Sequence, residues 1–165
     1  MFKRMAFAAA ILAVGVLTAS AGALADAGGQ GTVTMTQHGH NDLLFSMPVT
    51  NQCNGETGTL TAIADNDVFH VTSFTNGDEF WVTGTAEGTV TFTPDTPSGV
   101  SYSGHFTSWF GESSNNQNDV QHDTNTFQLT GTDGSHVTIH MTDHLSTNAN
   151  GVVTVNFSNF TFHCG

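Results

Sequence analysis

Basic residues are almost missing from this chain. Lys3 and Arg4 are its only lysine and arginine in 165 residues, against 14 aspartates and glutamates, for a formal net charge of -12. Such a chain offers no guanidinium fork for a phosphate and no basic patch, which argues against nucleic acid and anionic membrane surfaces as partners. Its carboxylates lack ordinary ion-pair partners, so that role falls to the 9 histidines, and only when they are protonated. Cysteine is limited to Cys53 and Cys164, with no C-x-x-C spacing for a redox pair. G-x-S-x-G, H-E-x-x-H and phosphate-binding glycine loops are also missing. No catalytic residue is assigned on this basis, and no cofactor is expected. Beyond the N-terminus, no apolar run is long enough for a membrane span and no helical period appears.

What is present begins with a leader. Lys3 and Arg4 precede an apolar run from Met5 to Leu17, and Ala23-Leu24-Ala25 is a small-x-small cleavage site. The pattern predicts a signal peptide over residues 1–25, cut before Asp26, with Ala27 as the next site. Residues 26–165 are then expected to form a single secreted domain of about 140 residues. In that compartment Cys53 and Cys164 read as a disulfide closing a loop of roughly a hundred residues, which chain entropy values at about 4–5 kcal/mol.

The strongest pattern is Phe80 to Phe92. Phe80, Val82, Gly84, Ala86, Gly88, Val90 and Phe92 alternate with Trp81, Thr83, Thr85, Glu87, Thr89 and Thr91. This period of two marks a long strand with one buried face, large at its ends and small in the middle. Asn76-Gly77 is a two-residue hairpin turn that sets Ser73 opposite Phe80, Val71 opposite Val82 and Phe69 opposite Gly84. On the following strand, Tyr102, Gly104 and Phe106 fit opposite Phe92, Val90 and Gly88. Thr132-Asp133-Gly134 reads as a three-residue hairpin loop pairing Leu129 with Val137 and Phe127 with Ile139; a two-residue loop would put polar residues on the wrong face. Asn148-Ala149-Asn150 is expected to turn into a last strand, pairing Leu145 with Val153 and Met141 with Phe157. Glu56–Ala64 reads as a strand whose faces Leu60 and Ile63 leave unassigned. Gly39, Asn41 and Asp42 read as a turn between the first two strands, and Gly111–Asp123 as a long mobile polar loop.

The expected fold is all-β: an antiparallel eight- to nine-stranded up-and-down barrel, with a two-sheet β-sandwich as second choice. Alternate side chains from Phe69 to Phe157, Val155 among them, should then converge on one interior. Four inward residues, Tyr102, Phe106, Met141 and Asp143, are candidates for a ligand site. Asp143 either orients a ligand, with Tyr102, or sits at a bulge or wet rim. His136, His140 and His144 share a strand face at about 13 Å spacing, too far apart for any two to share a metal. His38 and His40, about 7 Å apart, are weak metal candidates to which Asp42 could add an oxygen. The acids Asp65 and Asp67 read as solvated turn residues.

Several stretches carry a resemblance: Phe69-His70-Val71-Thr72, Trp81-Val82-Thr83-Gly84-Thr85, Tyr102 through Gly111, Gly131 through Ser135, and Cys164-Gly165. On these residues the chain resembles a group of small exported bacterial proteins of the actinobacterial kind, which implies export and β structure only. Its architecture is also similar to lipocalin-type and allene-oxide-cyclase-type barrels, although the Gly-x-Trp opening of lipocalins is not present. The leading expectation is a secreted non-enzymatic barrel holding a small apolar ligand. One alternative is a cell-surface or matrix protein that meets polysaccharide through an acidic, Thr-rich outer face with Trp81 and Trp109 exposed. The other is a cyclase- or isomerase-like barrel enzyme using Asp143 and Tyr102 in one cavity.

Overall fold

The computed structural model describes residues 31–74 and 79–165. The leader, its cleavage point and the Asn76-Gly77 turn lie outside the described residues. Among those described, every regular element is a β-strand: β1 (Thr32–Gly39), β2 (Asp42–Thr50), β3 (Thr57–Phe74), β4 (Phe80–Pro94), β5 (Tyr102–Ser114), β6 (Asn118–Gly131), β7 (His136–Asn148) and β8 (Val153–Cys164). They form one antiparallel sheet in the order β1-β3-β4-β5-β6-β7-β8, with β2 also pairing β3.

Three ladders match the expected register. Phe69 faces Gly84 and Ser73 faces Phe80 on either side of the undescribed turn. Tyr102 faces Phe92 and Phe106 faces Gly88. Leu129 faces Val137 and Phe127 faces Ile139, with Gly134 at φ 86 in the left-handed position of its loop. In each case the buried face of one strand dictates the face of the next.

The first two strands do not form a hairpin. Both run antiparallel to β3, β1 against its second half and β2 against its first. They are two halves of one edge, broken at Asn41, whose φ is 59. Directly across the break, β3 bulges between Ala64 and Asn66. Before the bulge, burial assigns the faces: Leu60 shares its face with Ala62 and Ala64, which are fully buried, while Ile63 on the other face is exposed. Asp67 is therefore not a solvated turn residue but sits inward after the bulge, 4% exposed. Pro48 falls on β2, an edge strand, the place in a sheet where proline is tolerated.

The expected mobile loop at Gly111–Asp123 is mostly strand. β5 runs on to Ser114 and β6 starts at Asn118, joined by a tight turn in which Asn115 Oδ1 accepts from the N–H groups of Gln117 and Asn118, both at 2.8 Å. The final hairpin also departs from expectation. Gly151, at φ 71, is part of the turn, and Asn148 accepts from Gly151 N–H. A register shift follows between Ser146 and Thr147, so Leu145 faces Asn156 and Met141 faces Phe160. Val155 and Phe157 thereby move to the outer face, at 43% and 52% exposure.

The sheet curls but does not close into a barrel: among the described residues no ladder joins β8 to β1 or β2. Among the described residues its edges are tied together at one end. There Cys53, just after β2, is disulfide-bonded to Cys164 at the end of β8, as the cysteine count leads one to expect. Phe45 of β2 touches Phe127 of β6 edge-to-face at 6.3 Å. Around this clasped end lies the core of Ala62, Val90, Phe92, Tyr102, Phe106, Leu129 and Val137. Glu56 secures the loop between β4 and β5, accepting from Thr96 Oγ1 at 3.0 Å and Val100 N–H at 3.1 Å. At the opposite, open end, the first eight residues of β8 are exposed on both faces.

Candidate functional site

The inward glycines are covered by neighbouring rings or backbone. Gly84 lies under the rings of Phe69 and Phe110, whose centroids are 5.3 Å apart. A Cβ on Gly88 or Gly104 would run into the neighbouring strand's backbone, at Ile63 and Gln128 respectively. These glycines serve close strand approach. Phe106, 1% exposed, is packed against Phe127 at 6.0 Å.

The four inward candidates separate into two groups. Tyr102 and Phe106 belong to the clasped end, where Tyr102 is 5% exposed and its hydroxyl is hydrogen-bonded to Ser135 Oγ at 3.0 Å. A groove of about 320 Å³, open to solvent, runs beside Tyr102, Ser135 and the disulfide. Met141 and Asp143 are half-buried near the open end. Tyr102 faces Gly131 and Asp143 faces Asp123, and those two β6 positions are roughly 26 Å apart along the strand. One cavity cannot hold both groups, which removes the geometric basis of an acid/base pair made from them.

Toward the open end the inner face turns acidic. Asp123 lies directly across from Asp143, and Glu112 across from Gln121. Partial burial, then the charge of Asp143, hold the Asp123 carboxyl above its ordinary value, against the opposing pull of Asn125 and His122. Glu112 is raised likewise by burial and then by Asp119. Asn125 Nδ2 donates to Asp123 Oδ2 at 2.9 Å.

The outer face carries the exposed aromatics. Trp81 and Trp109 are 44% and 43% exposed. They stand on adjacent strands, Trp81 opposite Ser113 and Trp109 opposite Thr85, which places them roughly 14 Å apart. Phe74 meets Trp81 edge-on at 5.5 Å, and His122 meets Trp109 at 5.5 Å. Thr83 and Thr85 lie beside them on β4, and Thr89 and Thr91 continue the same outer row past Glu87; all five side chains are exposed. Cross-strand hydroxyl pairs such as Thr34–Thr72 and Ser46–Thr61, each at 3.0 Å, continue the polar surface.

The histidines occupy several environments. His38 faces Val68 on β1 and His40 sits at the strand break, its Nδ1 3.2 Å from Asp65 O. Among the described residues no group of three metal-ligating side chains forms, at this pair or elsewhere. One contact escapes any reading of β7 alone. His144 lies across from His122 on β6, with 3.3 Å between their Nδ1 atoms. Extending the Leu129–Val137 register through the supposed loop would have located it.

No protein-family model, no curated protein and no solved structure matches this chain.

Proposed function

We propose that this chain is an exported, non-enzymatic β protein that binds a neutral polysaccharide through the outer face of its sheet. The observation that carries the reading is the pair of exposed indoles, Trp81 and Trp109, on one face amid threonine hydroxyls. Indole faces suit the C–H faces of sugar rings, and a rigid strand scaffold holds them without loss of conformational entropy on binding. Hydroxyls can exchange hydrogen bonds with sugar hydroxyls in either direction. The shortage of Lys and Arg, with a formal charge of -12, disfavours anionic glycans.

The test is co-sedimentation of purified protein with insoluble cellulose and chitin. Retention on one of them should fall at least about tenfold in Trp81→Ala and in Trp109→Ala, a typical loss for an exposed aromatic anchor. No retention on either glycan, or retention indifferent to both substitutions, would reject the reading.

A second reading keeps the small apolar ligand but moves it to the open end. There Phe69, Phe110 and Met141 are partly exposed and Phe160 is 52% exposed on the inner face. Native mass spectrometry of protein taken from its own culture medium would show a retained small molecule if this reading holds, and only bare protein if it fails.

A further inference from the structure

We propose that His122 and His144 form a two-imidazole site for a divalent late-transition ion, Cu²⁺ or Zn²⁺, on the outer face of β6 and β7. The proposal stands independently of the polysaccharide reading.

It begins with a break in a repeat. His136, His140 and His144 project from β7, and the residues across from them on β6 are Thr130, Thr126 and His122. At the first two rungs a histidine Nδ1 meets a threonine hydroxyl, at 3.2 Å for Thr130 and 3.1 Å for Thr126. At the third rung the hydroxyl is replaced by a second imidazole, and the two Nδ1 atoms stand 3.3 Å apart. Imidazole nitrogens bind zinc at about 2.0–2.1 Å, and two such bonds at a tetrahedral angle place the nitrogens about 3.3–3.4 Å from each other. The side chains are already at chelating separation. With both protons on Nε2, both Nδ1 lone pairs can point at one ion.

The surroundings support a held geometry. Both rings are half-buried, and they meet at 63° with centroids 5.6 Å apart. Trp109 packs against His122, and Phe157 lies across from His144 on β8. Side chains confined in this way lose less freedom when a ligand binds. With no third ligating side chain among the described residues, the remaining coordination positions are open to water or to an incoming donor. Imidazole donors without carboxylates suit Cu²⁺ and Zn²⁺ and are poor hosts for Ca²⁺ or Mg²⁺.

The chain supplies its own reporter. Trp81 and Trp109 are its two tryptophans, so a full-length Trp81→Phe protein leaves Trp109 as the sole indole, 5.5 Å from the His122 ring. Cu²⁺ held there should quench its fluorescence in a saturable way at pH 7.5. His122→Gln and His144→Gln should each weaken the apparent Kd at least about tenfold, because one imidazole remains where two chelated. His140→Gln, whose partner is Thr126, should change it less than about twofold. Zn²⁺ should raise the Tm of the parent and of His140→Gln, but not of the two site variants. Circular dichroism and Tm without metal check that each variant is folded; His122→Asn and His144→Asn stand in for any that is not. Non-saturable quenching, or a loss in His140→Gln equal to that in His144→Gln, would overturn the proposal and leave a hydrogen-bonded histidine pair.

Discussion

The two ends of this sheet are built from the same strands yet obey different physics. At the clasped end the inner face is dry. Phe106, Phe127, Leu129 and Val137 are at most 6% exposed, and the Cys53–Cys164 bond holds opposite edges together. At the open end the same strands present Asp123, Asp143, Glu112 and Gln121 inward, and the start of β8 is wet on both faces. One covalent link divides a packed core from a splayed sheet whose β8 edge is the kind that normally needs protection. Stability should therefore be concentrated at the clasped end, and the two ends should answer differently to the same perturbation.

Breaking the clasp should have the largest effect. The cysteines are 111 residues apart in sequence, and chain entropy values such a cross-link at about 4–5 kcal/mol. The double variant Cys53→Ser, Cys164→Ser should lose most of that, measured by urea unfolding with a two-state fit. Hydrogen exchange should show the loss of protection at β2 and the end of β8 first. If protection falls uniformly, the clasp acts only on the unfolded chain, and the contrast between ends has another origin.

Core truncations sharpen the comparison next. Phe106→Ala, at 1% exposure, should cost about 3–5 kcal/mol, as large buried aromatics do. Phe160→Ala, at 52% exposure on the same face of the sheet, should stay within about 0.5 kcal/mol. Equal losses would mean that the open end is packed in solution and that the sheet closes there after all.

The same division explains what could be read from the chain. Period-two reasoning works only where one face is dry. That is why the β3–β4, β4–β5 and lower β6–β7 ladders could be set from Phe, Val and Gly positions, and why Phe106 could be placed in the core. Where β6 turns its Gln121, Asp123 and Asn125 inward, alternation of apolar and polar vanishes, and a strand looks like a polar loop. His122 lies in the same stretch, which hides the imidazole pair. β8 fails for a related reason: with no burial from Val153 to Phe160, nothing in the pattern pins its register, and the left-handed Gly151 moved it. The break at Asn41 and the bulge at Asp65 compensate each other across two strands, a relation visible only once the strands are paired. The exposed Trp81 and Trp109 were legible because they fall on the polar side of well-determined strands.

The finest test of the comparison is electrostatic. Asp123 titrates above its ordinary value because burial and then Asp143 disfavour its charge. A carboxyl that binds its proton more tightly when folded than when unfolded weakens the fold as pH rises from the ordinary value through the raised one. Acidification from neutral pH toward about 4 should thus strengthen the contribution of Asp123, and of Glu112 for the same reason. Asp133 behaves oppositely: its carboxyl is held low by hydrogen bonds from Ser135, a contribution lost only as pH falls below the ordinary range. Asp143→Asn removes the facing charge. It should raise stability at pH 7 by less than about 1 kcal/mol, since solvent screens a half-exposed pair, and the gain should shrink on acidification as Asp123 protonates. Urea unfolding of parent and variant at pH 7, 5.5 and 4 reads the difference directly, with the shared titration of the other groups cancelling. Phe106→Ala, which removes no charge, should shift the parent's pH curve down without changing its shape. A variant Asp143→Asn that is less stable than the parent at pH 7 would show that these carboxylates are held in attractive contacts, and that the open end is a constructed polar interior rather than a splayed one.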